Sequence, residues 1–241
     1  MAVFTTSLVS SYNLSADTLD DVGTNNLTNT GIAFTGTDIF AANALLDGVA
    51  DQAQITDAAQ TGMDAGTGSL TVECWFYMDD TGGDVLVAKR GVSAAIYQLD
   101  KGQDGQQVRW IVRDASSNIA LMETATNIST VTKYHVVAVV DRATQLLHLY
   151  LNGVADGTPV DCSGVGSLDN AGNFAIGYEP NGGTNFFAGQ MARVRLWIGR
   201  VITANGASKL YNNGSGLTYA QLGTTDELSS NAKNALLMGV G

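Results

Sequence analysis

The sequence predicts an all-β protein built from two packed antiparallel sheets. Three observations lead to this fold class: short runs in which apolar and polar residues alternate, Gly, Asn and Asp residues that end these runs, and no amphipathic stretch of helical length between them. Because parallel strands need long crossover connections, usually helices, the pattern excludes a parallel α/β design. Strands are expected at residues 6–13, 44–48, 52–56, 69–78, 84–90, 95–100, 106–113, 118–123, 134–141, 145–151, 173–178 and 189–197.

One hairpin is clearly specified in the middle of the chain. Residues 134–140 form its first strand, residues 141–144 form the turn, and residues 145–151 form the second strand. Asn152 and Gly153 then predict a two-residue reversal, because both turn positions need a positive φ. In the second strand, the face formed by Leu147, Leu149 and Leu151 is the better core candidate.

The strand at 69–78 carries one of the two cysteines. Its apolar residues Leu70, Val72, Cys74, Phe76 and Met78 alternate onto one face. Two cysteines are too few for a disulfide framework, so Cys74 is expected to be a buried free thiol.

The C-terminal part of the chain predicts two short helices. Residues 203–214 end in Asn213-Gly214, and residues 229–239 follow serine caps and end in a glycine. The expected domain therefore covers residues 1–222, and residues 223–241 are expected to form a linker and a short helix.

The charge of the chain argues against two classes of partner. It has 12 Lys and Arg against 23 Asp and Glu, which gives a net charge of −11. Nucleic-acid affinity depends largely on Lys and Arg contacts to phosphates, so nucleic acid is not an expected partner, and anionic membranes are disfavoured too. Because no run of 18 apolar residues occurs, no membrane insertion is expected. The N-terminus also lacks the basic region and long apolar run of a secretory signal.

Segments along most of the chain resemble the laminin G-like branch of the concanavalin A-like lectin/glucanase superfamily. In order they read LVSSYNLS, LLDGVADQAQIT, GSLTVECWFYMDD, YHVVAVVDRATQLLHLYLNGVADG, FAIGY and FFAGQMARVRLWIGR, within residues 8–214. The tail LYNNGSGLTYAQL resembles the end of such domains in phage and marine microbial surface proteins. The resemblance implies a jelly-roll sandwich of two curved antiparallel sheets with short C-terminal helices. Members include lectins, glucanases, adhesins and virion proteins, so function depends on the site residues.

Catalysis is not expected. Glycosidases need two carboxylates that flank the scissile bond, and the glucanase branch carries them in a Glu-x-Asp-x-(x)-Glu strand motif that this chain lacks. The two histidines, His135 and His148, lie in the middle of predicted strands and are expected to be packed or surface residues. The sequence therefore predicts a non-enzymatic protein.

The loop at 178–187 is the candidate ligand-binding region. A sugar ring could pack on an aromatic side chain there, while amides bind its hydroxyl groups. The alternative is that the two phenylalanines anchor the loop into the core or an interface. The candidate ligand-binding residues are Tyr178, Asn181, Asn185, Phe186 and Phe187.

Calcium is the candidate metal, as a structural ion and not as a required cofactor. Hard cations prefer carboxylate and carbonyl oxygens, and the family resemblance implies Asp21 and Asn25 as ligands in the loop DTLDDVGTNN. The resemblance departs from the calcium-binding pattern at Ala192 and Arg193, where an acid is common. The alternative is a solvated turn, since Asp and Asn favour turns.

The last predicted strand carries a candidate interface. Arg193, Arg195 and Trp197 share one face, and the opposite face, with Val194 and Leu196, is expected in the core. Arg and Trp are common at interface hot spots, so this face is expected to point outward to a neighbouring subunit. The alternative is that the arginines pair with acids on a neighbouring strand.

These observations predict a structural or interaction protein, most simply a phage virion-surface protein such as a capsid decoration, head-fibre or tail-associated domain. Its partners would be other virion proteins, its own copies or a host-surface glycan. The alternative is a secreted carbohydrate-binding, lectin-like module with an extracellular or cell-surface location.

Overall fold

Two antiparallel sheets pack face to face in the computed structural model, which describes residues 3–91, 96–102 and 106–225. The described strands are β1 (Leu8–Tyr12), β2 (Thr28–Thr30), β3 (Ala33–Gly36), β4 (Asn43–Asp47), β5 (Gln52–Ile55), β6 (Leu70–Met78), β7 (Val85–Arg90), β8 (Ile96–Lys101), β9 (Val108–Arg113), β10 (Ile119–Glu123), β11 (Lys133–Asp141), β12 (Leu146–Leu151), β13 (Val154–Ala155), β14 (Val160–Asp161), β15 (Asn173–Ile176) and β16 (Ala188–Ile198).

The strands form a nine-stranded and a seven-stranded sheet. The larger sheet has the order β13-β12-β11-β6-β16-β4-β3, with β1 paired to β16 and β14 paired to β12. The smaller sheet has the order β10-β9-β8-β7-β15-β5-β2. This arrangement confirms the predicted jelly-roll sandwich.

All twelve predicted strands are present, and their ends shift by at most two residues. The four strands that were not predicted are β2, β3, β13 and β14, which have two to four residues each. Such short segments do not show a clear alternation of apolar and polar residues. They are held in place by the longer strands that they pair with.

The main core lies between the two sheets. The predicted apolar face of β6 and the leucine face of β12 both point into it, and Cys74 is a fully buried free thiol. From the smaller sheet, Tyr97 and Leu99 on β8 and Phe174 on β15 pack against them. The positions that alternate with these core residues along the strands therefore point to the outer face of the smaller sheet.

A second, smaller core covers the outer face of the nine-stranded sheet. Helix α1 (Ala204–Tyr211) begins after Thr203, whose side chain accepts a hydrogen bond from the Gly206 amide, and it ends at Asn212 in the left-handed conformation. A second helix, α2 (Tyr219–Leu222), follows. This core contains Phe4, Leu8, Val137, Val139, Tyr150, Trp197, Ile202, Ala207, Leu210, Leu217 and Leu222.

The predicted helix at 203–214 is confirmed over α1, although it stops before the predicted Asn213-Gly214 because both Asn212 and Asn213 have positive φ. The predicted helix at 229–239 lies outside the described residues. None of the helices in the described ranges has the length and apolarity needed to span a membrane.

Candidate functional site: the outer face of the seven-stranded sheet

Polar side chains cross the outer face of the seven-stranded sheet in register. Gln98 on β8 lies opposite Ala88 on β7, and Ala88 lies opposite Ala175 on β15. Ala175 in turn lies opposite Gln54 on β5. Two small residues therefore separate two amide side chains along one line across four strands.

Six side chains on this face form one continuous hydrogen-bonded chain, which we call the polar row. The polar row consists of Arg109, Asp100, Gln98, Arg90, Glu179 and Asn185. It runs from β9 through β8 and β7 to the loop after β15. It thus links the middle of the sheet to the loop that the sequence indicates as a binding region.

The first half of the polar row is centred on a buried carboxylate. Arg109 donates from Nε to Asp100 Oδ1 at 2.8 Å and from Nη2 to Oδ2 at 3.2 Å, and Gln98 Nε2 donates to Oδ2 at 2.6 Å. Burial raises the pKa of Asp100 above its ordinary value, although the hydrogen bonds and charge of Arg109 favour the charged form. Three donors on one buried carboxylate hold these side chains in a fixed geometry.

The second half of the polar row connects β7 to the loop at 178–187. Arg90 Nη1 lies 3.4 Å from Gln98 Oε1 and 3.1 Å from Glu179 Oε1. The Asn185 amide donates to the other Glu179 oxygen at 2.9 Å. Asn185 has a positive φ of 55°, and the backbones of Glu179 and Thr184 pair with each other, so the loop is folded back on itself.

An aromatic pair lies beside the polar row. The rings of Tyr178 and Phe186 stack at 5.5 Å with an interplanar angle of 14°. The Tyr178 hydroxyl donates to Gln54 Oε1 at 2.5 Å, and the Asn173 amide donates to the same oxygen at 3.0 Å. Burial raises the pKa of Tyr178 to about 12, so this hydroxyl stays a donor at neutral pH. Tyr178 is buried and Phe186 is half-buried, so Phe186 supplies the ring surface and Tyr178 supports it.

The five predicted ligand-binding residues lie in different surroundings in the structure. Tyr178, Asn185 and Phe186 lie in or beside the polar row, and Asn181 is half-buried in the same loop. Phe187 is fully buried against Phe76 in the core, so the prediction that it contacts a ligand is wrong. The alternative prediction, that the two phenylalanines anchor the loop into the core or an interface, is correct for Phe187.

The predicted outward face of β16 is covered by the chain itself. Val194 and Leu196 point into the main core as predicted, but Arg195 is 1% exposed and Trp197 is 0% exposed. The prediction that these two residues face a neighbouring subunit is wrong. The reason is the second core, in which the N-terminal turn around Phe4 and residues 202–222, which we call the C-terminal segment, pack over this face: Trp197 Nε1 donates to the Phe4 carbonyl at 2.6 Å.

Arg195 pairs with an acid on the neighbouring strand, as the alternative prediction states. Its Nη1 lies 2.9 Å from Oε2 and 3.1 Å from Oε1 of Glu73 on β6, and His135 Nε2 lies 3.0 Å from Oε1. Burial alone would raise the pKa of Glu73, but the Arg195 charge and the His135 hydrogen bond outweigh it and lower the pKa. Arg193 lies at a bulge in β16 with a φ of 48°, and its guanidinium stacks 3.7 Å from the Phe40 ring.

The predicted calcium ligands lie in a loop that is closed by hydrogen bonds. The Asn25 amide nitrogen donates to Ser10 Oγ at 2.9 Å and to the Thr61 carbonyl at 3.0 Å, and its oxygen accepts from the Thr61 amide at 2.7 Å. Asp21 is exposed, and its Oδ2 lies 3.4 Å from Ser11 Oγ. Within residues 3–91, 96–102 and 106–225, no three His, Cys, Asp or Glu side chains are grouped as metal ligands would be.

Residues 46–208 match the family model of the concanavalin A-like lectin/glucanases superfamily. The chain belongs to this superfamily. The matched region includes most of both sheets, the whole polar row and the first part of α1. No curated protein matches the chain significantly.

The fold is similar to that of several binding domains of solved structure. The binding domain of Paraclostridial Mosquitocidal Protein 1 is 16% identical, with a TM-score of 0.71 over 87% of this chain and 53% of that chain. The receptor binding domain of botulinum neurotoxin D is 12% identical, with a TM-score of 0.67 over 87% and 53%. The chain thus spans about half the length of these toxin domains.

A third solved structure matches along almost its whole length. Domain 4 of AbnA, an extracellular arabinanase from Geobacillus stearothermophilus, was solved in complex with arabinotriose. It is 18% identical, with a TM-score of 0.60, over 83% of this chain and 96% of that chain. At these identities, all three likenesses show a shared fold.

Sequence reasoning missed most of the polar row. It indicated Asn185 in the loop but not the strand residues Arg90, Gln98, Asp100 and Arg109. The signal was present, because Gln98 and Asp100 alternate with Tyr97 and Leu99. Polar residues at every second position of a strand whose other face is apolar mark an outer face, and several such strands side by side mark a polar surface.

Proposed function

We propose that this protein is a non-catalytic carbohydrate-binding module, and that it binds a saccharide on the outer face of the seven-stranded sheet. The observation that supports this most is the polar row lying beside the Tyr178–Phe186 pair. A sugar presents hydroxyl groups that both donate and accept hydrogen bonds, together with an apolar ring face. The site offers both kinds of partner in adjacent positions.

The polar row suits saccharide binding because its side chains are already ordered. Ordering a long side chain on binding costs about 0.5–1.5 kcal/mol, and Arg90, Arg109 and Gln98 are held in place before any ligand arrives. The half-buried ring of Phe186 supplies an apolar surface at one end of the row. Small-molecule sites commonly combine aromatic surface with a few fixed polar groups in this way.

The carboxylates on this face support binding and not hydrolysis. Asp100 and Glu179 are each engaged by an arginine, at 2.8 Å and 3.1 Å. A general acid in a glycosidase needs access to the glycosidic oxygen, and its partner carboxylate needs to reach the sugar ring or a water, whereas Asp100 is only 1% exposed and Glu179 only 9% exposed. Glu73, on the other sheet, is fully buried beneath the C-terminal segment.

The arabinotriose bound by domain 4 of AbnA makes arabinotriose a reasonable first probe. We expect a glycan array, followed by calorimetric titration with arabinotriose and the strongest array ligands, to show binding. Phe186→Ala and Gln98→Ala should each weaken it at least tenfold. Val154→Ala, at an exposed position on the other sheet, is the matched control and should bind like the unchanged protein. Absence of binding to every glycan on a broad array would overturn the proposal.

A location on the surface of a phage particle remains a prediction from the sequence. It is compatible with carbohydrate binding, since a virion-surface module can bind a host glycan. Detection of the protein in purified particles, at a stoichiometry set by capsid or tail symmetry, is the measurement that tests it.

A further inference from the structure

We infer that the saccharide bound by this face is uncharged and lies across the strands of the seven-stranded sheet. This inference rests on the proposed function and adds the class of ligand. It follows from the balance of charges on the face, the length of the polar row and the hydrogen-bonding character of its members.

The outer face of the seven-stranded sheet is electrically balanced in a chain that is strongly acidic overall. Among the described residues of this face, three arginines are matched in number by three carboxylates, whereas the whole chain carries a net charge of −11. The arginines are Arg90, Arg109 and Arg113, and the carboxylates are Asp100, Glu123 and Glu179.

Each of the two arginines within the polar row forms an ion pair with a carboxylate. Arg109 holds both oxygens of Asp100, and Arg90 holds Glu179. A ligand carboxylate that approached either guanidinium would meet the existing carboxylate at close range. Like charges at such distances repel, and displacing Asp100 would leave a buried charge without its partner, which is strongly unfavourable.

The groups that remain available are suited to hydroxyls. Among the groups with exposed surface, the Glu123 carboxylate accepts hydrogen bonds, the guanidinium groups donate them, and the amides of Gln54 and Asn185 do both. A hydroxyl group can satisfy a donor and an acceptor at once, whereas a ligand carboxylate only accepts. Alternating donors and acceptors therefore favour a polyhydroxylated, uncharged ligand.

The length and direction of the site favour an oligosaccharide over a single sugar. From Gln54 on β5 to Arg109 on β9 the site crosses β15, β7 and β8, which is four strand spacings. At about 4.8 Å per spacing this is roughly 19 Å, enough for several sugar rings in a line. Phe186 lies at the β5 and β15 side, so one ring would pack there while others contact Gln98 and Arg109.

The test compares matched ligands that differ only in charge. Oligogalacturonides and their neutral methyl esters, and sialyllactose and lactose, are titrated against the protein beside the strongest ligand from the array. We expect the neutral member of any bound pair to bind at least fivefold more tightly. We also expect the affinity for the best ligand to change less than twofold between low and high salt. Tighter binding of the acidic members would overturn this inference while the proposed function stands; no binding of any saccharide would overturn both.

A charge variant tests the same inference from the protein side. Glu123→Gln makes the net charge of the face more positive by one, and Glu123 lies outside the polar row. The variant should strengthen binding of acidic members about two- to threefold at low salt, an effect that high salt removes. Asp161→Asn makes the same change in net charge on the other sheet and should have no such effect. Equal behaviour of the two variants would contradict a locally balanced face.

Discussion

The two outer faces of the sandwich each carry an arginine–glutamate pair, and the surroundings of these pairs differ. On the nine-stranded sheet, the side chains of Arg195 and Glu73 are 1% and 0% exposed. On the seven-stranded sheet, the side chains of Arg90 and Glu179 are 24% and 11% exposed. The first pair lies beneath the second core, and the second pair lies at a surface that a ligand can reach.

The difference comes from the C-terminal segment. Three cations of the nine-stranded sheet donate hydrogen bonds to carbonyls of this segment: Lys133 to Gly214 at 3.0 Å, Arg193 to Ser215 at 2.8 Å and Arg195 to Leu217 at 2.5 Å. Side chains that the sequence suggests for an interface are therefore used within the chain. On the other sheet, the Arg90–Glu179 pair is partly exposed and belongs to the candidate binding surface.

The largest effect is expected from breaking the buried pair. Glu73→Gln leaves the Arg195 charge in a fully buried site without its counter-ion, and removing one partner of such a pair costs about 3–5 kcal/mol. Urea denaturation at neutral pH measures the free energy of unfolding. The double variant Glu73→Gln with Arg195→Met should lose less than the sum of the two single losses, because it removes both charges. Additive losses would show that the two charges are not coupled.

The pH dependence of stability provides a second readout of this pair. The pKa of Glu73 is lowered in the folded protein, whereas the unfolded chain has a glutamate pKa of about 4.3. The unfolded state therefore binds the proton more readily as the pH falls. The contribution of the pair is complete above the unfolded pKa and is lost as the pH falls through the lower, folded pKa. Glu73→Gln should flatten the acid side of the stability profile; an unchanged profile would contradict this assignment.

Adjacent phenylalanines allow the two roles of the loop to be separated. Phe187→Ala removes a fully buried ring from the core, beneath the Lys101 ammonium, and should cost about 3 kcal/mol of unfolding free energy. Phe186→Ala removes a half-buried ring and should cost about 1 kcal/mol or less, but it should weaken saccharide binding at least tenfold. Denaturation curves and titration of both variants check the prediction. It fails if Phe186→Ala loses the greater stability or if it keeps the original affinity.

The Arg90–Glu179 pair should contribute little to stability. Partly exposed ion pairs contribute about 0–1 kcal/mol, so Arg90→Gln should unfold within about 1 kcal/mol of the unchanged protein. Because Arg90 joins Gln98 to the loop, the same variant should weaken saccharide binding severalfold. Denaturation and titration together separate this outcome from a purely structural role, which would lower stability and leave affinity unchanged.

The sequence was sufficient for the sandwich but not for the site. Alternation in β6 or β12 reflects burial on one side, so strands of five or more residues could be predicted. Alternation also placed Arg195 and Trp197 correctly on the face opposite Val194. It could not show that the N-terminal turn and residues 202–222 fold over that face. Contacts such as the one between Trp197 and Phe4 join residues that are far apart in the sequence, and alternation within one strand does not predict them. The polar row likewise depends on registers between strands, which the sequence of each strand does not specify.

The smallest effect is expected from calcium. The Asn25 side chain is buried and hydrogen-bonded at both its oxygen and its nitrogen, and Asp20 accepts the amides of Ser11, Val22 and Asn25. A calcium ion would have to replace these bonds with its own, so the loop has little to gain from binding one. We expect the Tm to stay the same in millimolar calcium and in chelator. Asn25→Ala should lower stability by about 1–3 kcal/mol under both conditions, because it leaves the Thr61 amide unpaired. A calcium-dependent rise in Tm that Asp21→Asn removes would instead identify the loop as a metal site.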